Sequence, residues 1–564
     1  MTVRPVKATG KGKGRTEYDV IVVGGGFAGS LLAAVLARGG VRTALLERAA
    51  EPRFAVGETM VPYAASLARL IARRYGVPEA ESLCSFDGVA RDVSAGCGAM
   101  RGMGFVYHRA GLRQHPAEIC QVVNPSVVPP PPHLYRRDVD AHLLTVARRY
   151  GAAVRTGPAG HVAGLDIAPD TGVTVRTGDG SALTARYVVD AAGRASPVAR
   201  ELGLREEPPR ARHHSRSLFT HMTGVTPYDE TPAGRHHGQP ARWHAGTLHH
   251  VFDGGWLWVV PFDNHPRSRS GMCSVGLTLD PRRYPAVAGS SPQREFDAFL
   301  SRFPDVARQF THAVPARPWT VTGRLQYSSR QLVGDRYCLA GHAAGFVDPL
   351  YSRGLAHSLE TVNALARRLI DASRDGDWST PRFAYVEDLQ RAQFAAHDDL
   401  AYASFVAFRD FGLFNAVLRT WTVSTVLGAL AVENATAAYG RSGDDAVLQN
   451  LEDARHPGSP LPGSDHFNAL GPLTRALCAE VEAGTRTPRD AADRIFDTVR
   501  RADYLPPSLG LGDPADRFFH NTPARIVRAA RWVRTDAPDD VGALLKGAMG
   551  GLLRERLRGL RGPA

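Results

Sequence analysis

Val20-Ile21-Val22-Val23-Gly24-Gly25-Gly26-Phe27-Ala28-Gly29 runs into a helical segment and then a second apolar run that ends at Glu47. A β-branched run, a glycine turn, a helix and another apolar run form a βαβ opening, which calls for a parallel sheet. Gly24 permits the tight turn, Gly26 lets backbone approach a pyrophosphate, and Gly29 lets helix and strand pack closely. The helix, with Phe27 and Ala28 in its first turn, then presents unpaired N–H groups to phosphate. Glu47, followed by Arg48, stands where an acid accepts a ribose hydroxyl. The stretch reads as a dinucleotide-binding module.

Two later segments narrow the dinucleotide. Val188-Val189-Asp190-Ala191-Ala192-Gly193-Arg194 ends a strand in an acidic, small-residue turn. Leu339-Ala340-Gly341-His342-Ala343-Ala344-Gly345-Phe346-Val347-Asp348-Pro349 is a strand, a small-residue turn and the approach to a helix. Such a turn lets backbone pass close to a flat ligand, and the helix N-terminus favours negative charge at one edge of it. Both segments resemble the second and third cofactor-contact segments of the FAD-dependent monooxygenase superfamily. Arg137, ahead of a helix predicted over 138–149, resembles that superfamily's arginine near the cofactor. The resemblance covers residues 19–370 and implies FAD held by Asp190, Gly193, Gly341, His342, Gly345, Asp348 and Pro349. It also implies an α/β class: a Rossmann-like FAD-binding domain with an antiparallel-sheet substrate domain, in a PHBH-like two-domain fold, and a helical C-terminal extension.

The remainder of the 564 residues is enough for a large core and two or three domains. Residues 1–16 are basic and Gly-rich and read as disordered. Residues 17–375 read as the FAD module with an inserted β-sheet substrate region, and 376–564 as mainly helical. Pro125 to Pro132 reads as an extended loop, 160–290 as short antiparallel strands, and Leu355 to Ile370 as an amphipathic helix. Past Asp375 strand signals stop, and His456 to Asp465 reads as a linker. The net charge of +12 is carried by arginine, since lysine occurs only at 7, 11, 13 and 546. That charge suits an acidic partner such as a carrier protein. Its scatter, without interleaved aromatics, excludes a nucleic-acid partner. No signal-peptide pattern or apolar run of roughly 18–20 residues is seen, so no membrane partner is expected. Six cysteines without a CxxC pair suit reduced thiols in a cytoplasmic enzyme. The pairs His213-His214, His236-His237 and His249-His250 read as surface or substrate-pocket histidines and not as a metal site, because neighbours in a strand point apart.

Four details resemble the flavin-dependent halogenases, and among them the phenolic and chloramphenicol-type branch. Trp256-Leu257-Trp258-Val259-Val260-Pro261 matches that family's WxWxIP block, with Val for Ile. Pro52-Arg53-Phe54-Ala55-Val56-Gly57-Glu58-Thr59-Met60-Val61-Pro62 resembles its RxxxGES/T-x-x-P loop. Gly345 to Gly354, with Asp348-Pro349-Leu350-Tyr351-Ser352-Arg353-Gly354 at its end, resembles its GFxDPLxSxG segment. The long helical C-terminus is the fourth.

The resemblance implies a mechanism. Reduced FAD from a separate flavin reductase reacts with O2 to a flavin C4a-hydroperoxide, and a halide attacks it to give hypohalous acid. Trp256 and Trp258 wall the flavin from an electron-rich aromatic substrate, free or carrier-bound. The halide lies against the backbone N–H groups of Ser352, Arg353 and Gly354, a plausible anion nest on physical grounds as well. Glu58 reads either as an acid, base or halide-site organiser or as a cap on backbone N–H groups. Ser352 reads as a turn residue and not a nucleophile. Tyr351 stands where tryptophan-specific members place a glutamate, which disfavours tryptophan as substrate. His342 replaces the usual Asp or Asn. Asp280 lies where the chloramphenicol-type branch attaches FAD covalently, but also reads as a turn cap before Pro281. The family's tunnel lysine corresponds to Met100, at the head of a strand through Tyr107, and no lysine exists between 14 and 545. Arginine cannot serve as a neutral amine in its place. Three functions stay open: a halogenase, a halide-independent flavin monooxygenase, and a catalytically silent flavin-binding partner.

Overall fold

Tyr18–Val23 is apolar on both faces, so it can only lie in the middle of a sheet covered on both sides. In the computed structural model it runs parallel to Ala182–Asp190 on one side and to Thr43–Glu47 on the other. The described residues are 17–51, 53–125, 128–448, 451, 461 and 463–547. The basic N-terminus at 1–16, with Lys7, Lys11 and Lys13, lies outside them, as do Pro52, residues 126–127 of the Pro125–Pro132 loop and most of the expected linker at 456–465. This first sheet is eight-stranded, with Tyr337–Leu339 beyond Ala182–Asp190 and Ala153–Thr156 beyond Thr43–Glu47. Helices Phe27–Arg38, Arg136–Arg149 and Arg353–Asp375 pack together on it.

The second sheet is nine-stranded and carries the candidate site. Its central strands are Arg216–Thr223, Met272–Leu279, Gly255–Pro261, Thr247–Phe252 and Gly102–His108. Residues paired directly across neighbouring strands share a face. One row is therefore Phe105, His249, Trp258, Gly276 and Phe219. The flanking rows on that face are Trp256, Thr278, Ser217 and Val260, Ser274, His221. Leu218, Leu257, Val259, Val275 and Leu277 point the other way, into a separate apolar core with Phe252, Phe299 and Phe303. Period-two alternation thus sorts one set of strands into a greasy face and an aromatic, polar face.

Several expectations change here. Val162–Ala168, Gly172–Thr177 and Ala182–Asp190 belong to the first sheet and not to an antiparallel substrate sheet. The last of them is drawn into the parallel core beside Tyr18–Val23. The substrate sheet is mixed, because Thr247–Phe252 runs parallel to Gly102–His108. Met100 precedes that strand in a break, 1% exposed, its N–H bonded to the Pro131 carbonyl. Strand pairing also returns after Asp375: Phe518–Phe519 adds to Ile119–Val123. Of the paired histidines, His213, His237, His249 and His250 are buried and not at the surface.

The C-terminal helices are part of the site's support. Gly376, left-handed at φ 80°, ends Arg353–Asp375 and reverses the chain into Thr380–Ala407. The next helix, Phe411–Ser442, is long and apolar enough to cross a membrane, a length of apolar chain not expected from the sequence. Its most apolar window is 78% buried inside the protein, so it serves as a core helix.

Candidate active site

Gly24 has φ +104°, and a Cβ there would stand 2.6 Å from the Ala191 backbone. A Cβ on Gly29 would fall 2.0 Å from the Gly24 carbonyl oxygen. The two strand ends and the helix therefore meet at distances only glycine allows. The helix Phe27–Arg38 has no side-chain cap at Gly26 and no acid in its first turn, so its leading N–H groups and positive dipole end are free for an anion. Gly26 and Ala28 keep partial exposure along this edge, while Phe27 is buried. Glu47 accepts from the Gly25 N–H at 2.7 Å and from the Ala49 N–H at 2.9 Å, which sets its carboxylate at the mouth of the crevice. Arg48 is exposed at the strand end. The donor set and the glycine cradle fit a dinucleotide.

Asp190 is fully buried, accepting from the Ala192 N–H, the Ser196 hydroxyl and the Val198 N–H. Burial lifts its carboxyl above the ordinary range against those three bonds. It shapes the turn, leaving Gly193 at φ +66° with open space around it. Gly341 is left-handed as well, its N–H donating to Gln390 Oε1 at 2.8 Å. Gly345 sits 3.0 Å, as judged by an added Cβ, from the Tyr327 carbonyl. His342 is partly buried, and burial with Arg136 nearby pulls its imidazole down to about 4, so it is neutral at pH 7. Asp348 joins His213 Nε2, Ser215 Oγ and the Leu350 N–H, and so ties this segment to the second sheet. Pro349 closes the turn by accepting from the Ser352 N–H.

Arg136 is the buried member of the arginine pair, and Arg137 is exposed. The helix begins two residues earlier than predicted, which rotates Arg137 outward by a step of about 100° per residue. Arg136 pairs with Asp140 at 2.8 Å, lies over the Phe27 ring and donates to the carbonyls of Val56 and Gly57. It therefore links the glycine crevice to the loop that carries Glu58. Glu58 is 5% exposed and meets His221 Nε2 at 2.7 Å. His221 is enclosed by Phe54, Tyr135 and Phe262. Arg317 lies 3.3 Å over the Phe54 ring, its buried Nη1 without a partner. Burial lowers that guanidinium below its ordinary value while Glu58 and Tyr135 oppose the shift.

Trp256 and Trp258 share the polar face, rings 5.4 Å apart. Trp258 donates to Ser274 Oγ at 3.2 Å and lies across Gly276, where a Cβ would be 2.0 Å from the indole. Trp256 Nε1 is buried without a partner. Tyr351 is fully buried, its hydroxyl on Ser404 and its ring stacked on Trp421 at 5.2 Å. Ser352 is left-handed at φ 52°, a strained position for a non-glycine residue, and caps nothing with its side chain. The helix starting at Arg353 has no acid in its first turn, so the N–H groups of Arg353 and Gly354 form an uncapped concavity. Arg353 itself lies over Tyr63, and Glu360 accepts from Tyr63 and Gln393. Asp280 gives both carboxylate oxygens to Arg282, and its carbonyl accepts from Arg283 and Tyr284, which is the turn-cap geometry.

Sequence reading did not single out His221, Arg317 or, within the expected helical region, Gln390, Gln393 and Ser404 of the helix Thr380–Ala407, which hold Gly341, Glu360 and Tyr351 from one face. The spacings of 3 and 11 residues among these three, which fall on one face at about 100° per residue, were the available signal for that face. Lys546, the one lysine among the described residues, is exposed near Asn434 and Gly542 on the C-terminal helices.

Comparison with known proteins agrees with this geometry. A family model described as FAD binding domain matches residues 17–55, and one described as tryptophan halogenase matches 124–407. The chain is 42% identical over 535 residues to tetracycline 7-halogenase of Kitasatospora aureofaciens, covering 94% of this chain and 95% of that protein. It is equally 42% identical to monodechloroaminopyrrolnitrin halogenase PrnC of Pseudomonas fluorescens, over 93% of each. The crystal structure of halogenase PltM in complex with phloroglucinol and FAD superposes with a TM-score of 0.85 at 32% identity, over 90% of this chain and 100% of that one. The chain therefore belongs to the flavin-dependent tryptophan-halogenase family and is an FAD-binding oxidoreductase.

Proposed function

We propose that the protein halogenates an electron-rich aromatic ring of a biosynthetic intermediate, with a phenol as the leading substrate class. FAD, reduced by a separate flavin reductase, would supply the two electrons that take O2 to the peroxide level, and this oxidant takes two electrons from halide to give hypohalous acid. The observation that carries the reading is the paired indole wall, Trp256 beside Trp258, on the same sheet face as His221. Around it the chain's own residues do three things. Gly24, Gly26, Gly29 and Glu47 hold the dinucleotide, and the N–H groups of Arg353 and Gly354 after Ser352 receive the halide. The indoles exclude water and keep the oxidant from side reactions. Support for phenols comes from the bound phloroglucinol in the PltM structure and from the tetracycline ring of the first relative. The charge of +12 favours an acidic carrier protein as an alternative way of presenting the ring. Six buried free thiols fit a reducing cytoplasm.

The test is purified protein with a flavin reductase, NADH, chloride or bromide, and phloroglucinol. Product that is halogenated only when halide is present supports the reading. Oxygenated product indifferent to halide points instead to a monooxygenase, which the absence of lysine between 14 and 545 favours. Flavin oxidation yielding peroxide alone points to a silent flavin-binding partner.

A further inference from the structure

His221 sits one row from Trp258 on the indole face, about 7 Å along the strand by the rise of two residues. Glu58 holds its Nε2, which fixes the tautomer and leaves Nδ1 as the lone-pair nitrogen. Among the described residues nothing hydrogen-bonds that Nδ1. Arg317, which also lies over the Phe54 ring, keeps Nη1 unpartnered although its backbone is fixed, its carbonyl accepting from Thr220 Oγ1 at 2.8 Å. The neighbouring Ala316 N–H donates to the His221 carbonyl at 2.8 Å, so base and guanidinium ride on one hydrogen-bonded strand pair. Glu58 is equally fixed, through its own carbonyl to the Leu134 N–H and through Thr59 Oγ1 to Thr247. The roof is the loop after Arg53, with Phe54 half-buried and Val56 38% exposed, so the cluster lies under a surface flap.

We propose that Glu58, His221 and Arg317 form a receptor for an ionisable ring hydroxyl, in which His221 removes the hydroxyl proton. The proposal rests on the halogenase reading. The phenolic O–H bond breaks and an Nδ1–H bond forms, the electron pair remaining on oxygen and conjugating into the ring. Arg317 then faces the phenolate and Glu58 faces the imidazolium, so total charge is unchanged by the transfer. The phenolate ring carbon attacks the halogen of hypohalous acid, hydroxide leaves and takes the ring carbon's proton as water, and His221 returns its proton to the ring oxygen. His221 is thereby a catalytic base, Arg317 a binding group, and Glu58 a positioning residue. In a chain with no lysine between 14 and 545, this arrangement places the activation on the ring. The titratable groups on His221 are Glu58 from the loop and Tyr135 before the helix Arg136–Arg149, and Arg317, from the segment after Val314–Pro315, faces Glu58 and Tyr135.

The test uses holoenzyme with oxidised FAD and 4-nitrophenol, whose ionisation is read by difference absorbance across pH. Bound probe should ionise with its equilibrium moved about tenfold or more toward phenolate relative to free probe, the range that a nearby cation and base produce. His221→Asn and Arg317→Met should abolish the shift, Arg317→Lys should keep part of it, and Glu58→Gln should move the pH at which it occurs. FAD affinity should stay at the wild-type value in each. Should a variant fail to fold, 4-nitroanisole on the wild type decides, and it should bind at least tenfold more weakly than 4-nitrophenol. Probe that binds un-ionised, does not bind, or ionises equally in the variants overturns the proposal, as does equal binding of the ether. Halide-dependent product without probe ionisation sinks this inference alone; probe ionisation without such product sinks the halogenase reading alone.

Discussion

The glycine crevice and the pocket beneath Glu58 are joined through Arg136, yet they are built on opposite principles. In the crevice backbone does the recognising: Gly25 donates to Glu47 only 22 residues on, and glycine is demanded because atoms would otherwise overlap. In the pocket side chains do it, and Glu58 meets His221 across 163 residues of chain. Backbone recognition tolerates no side chain at its key positions, whereas side-chain recognition depends on the sheet register that brings distant residues into one row. Damage to the first should remove the cofactor; damage to the second should spare the cofactor and remove turnover.

The strongest way to break that contrast is Gly29→Ala. Its Cβ would fall 2.0 Å from the Gly24 carbonyl oxygen, and backbone cannot yield as a flexible side chain can. We expect a destabilisation on the order of 3 kcal/mol and a hundredfold or greater loss of FAD affinity. Flavin retained after gel filtration, together with a thermal melt, reads both; wild-type retention would mean the close approach is not required.

Gly276→Ala is the counterpart on the sheet. A Cβ would stand 2.0 Å from the Trp258 indole, so the ring must leave its place, at about 1–3 kcal/mol for overpacking. Halide-dependent turnover should drop tenfold or more while FAD affinity changes less than twofold. A parallel loss of both would show that the indole wall and the crevice are one unit.

Acid separates the regions less sharply. Burial depresses His133, His249 and His250 under the second sheet, and His342 in the cofactor segment, each from 6.5 to about 4. All four are neutral in the folded state at neutral pH. The unfolded chain takes up protons first, so stability is fully present above pH 6.5 and falls as pH drops toward 4. Melting followed by near-ultraviolet dichroism should decline across that window, and His249→Gln should flatten part of the decline. A melting temperature constant from pH 7 to pH 4.5 would contradict the burial.

The same contrast explains what could be read from sequence. Gly24, Gly29 and Glu47 were legible because their constraint is local and steric. The indole pair was legible because two residues apart on a strand means one face. Which of Arg136 and Arg137 turns inward was not legible, because a two-residue uncertainty in the helix start decides it, and in the structure it is Arg136. His221 and Arg317 had no local signal at all, since a histidine in a strand shows its role only when Ser274 and Val260 are found beside it. The strands at 162–190 went to the wrong sheet for a related reason: period-two alternation reports a half-buried face but not the partner that buries it.

The smallest effect belongs to Tyr351, whose place in the segment suggests catalysis and whose surroundings suggest anchorage. Its hydroxyl bonds Ser404 Oγ at 2.7 Å, its ring stacks on Trp421, and no part of it is exposed. Tyr351→Phe removes one hydrogen bond, and Ser404 keeps its own bond to the Leu400 carbonyl, so no buried donor is orphaned. The expected cost is about 0.5–1.5 kcal/mol, a loss of one or two degrees in melting temperature for a chain of this size. Turnover should stay within about threefold of wild type, because the ring stacked on Trp421, which holds the helix Phe411–Ser442 against the cofactor segment, is unchanged. A loss of tenfold or more in kcat, with melting unaltered, would instead place the Tyr351 hydroxyl among the reacting groups. The side-chain pocket would then extend from His221 to the turn before Ser352.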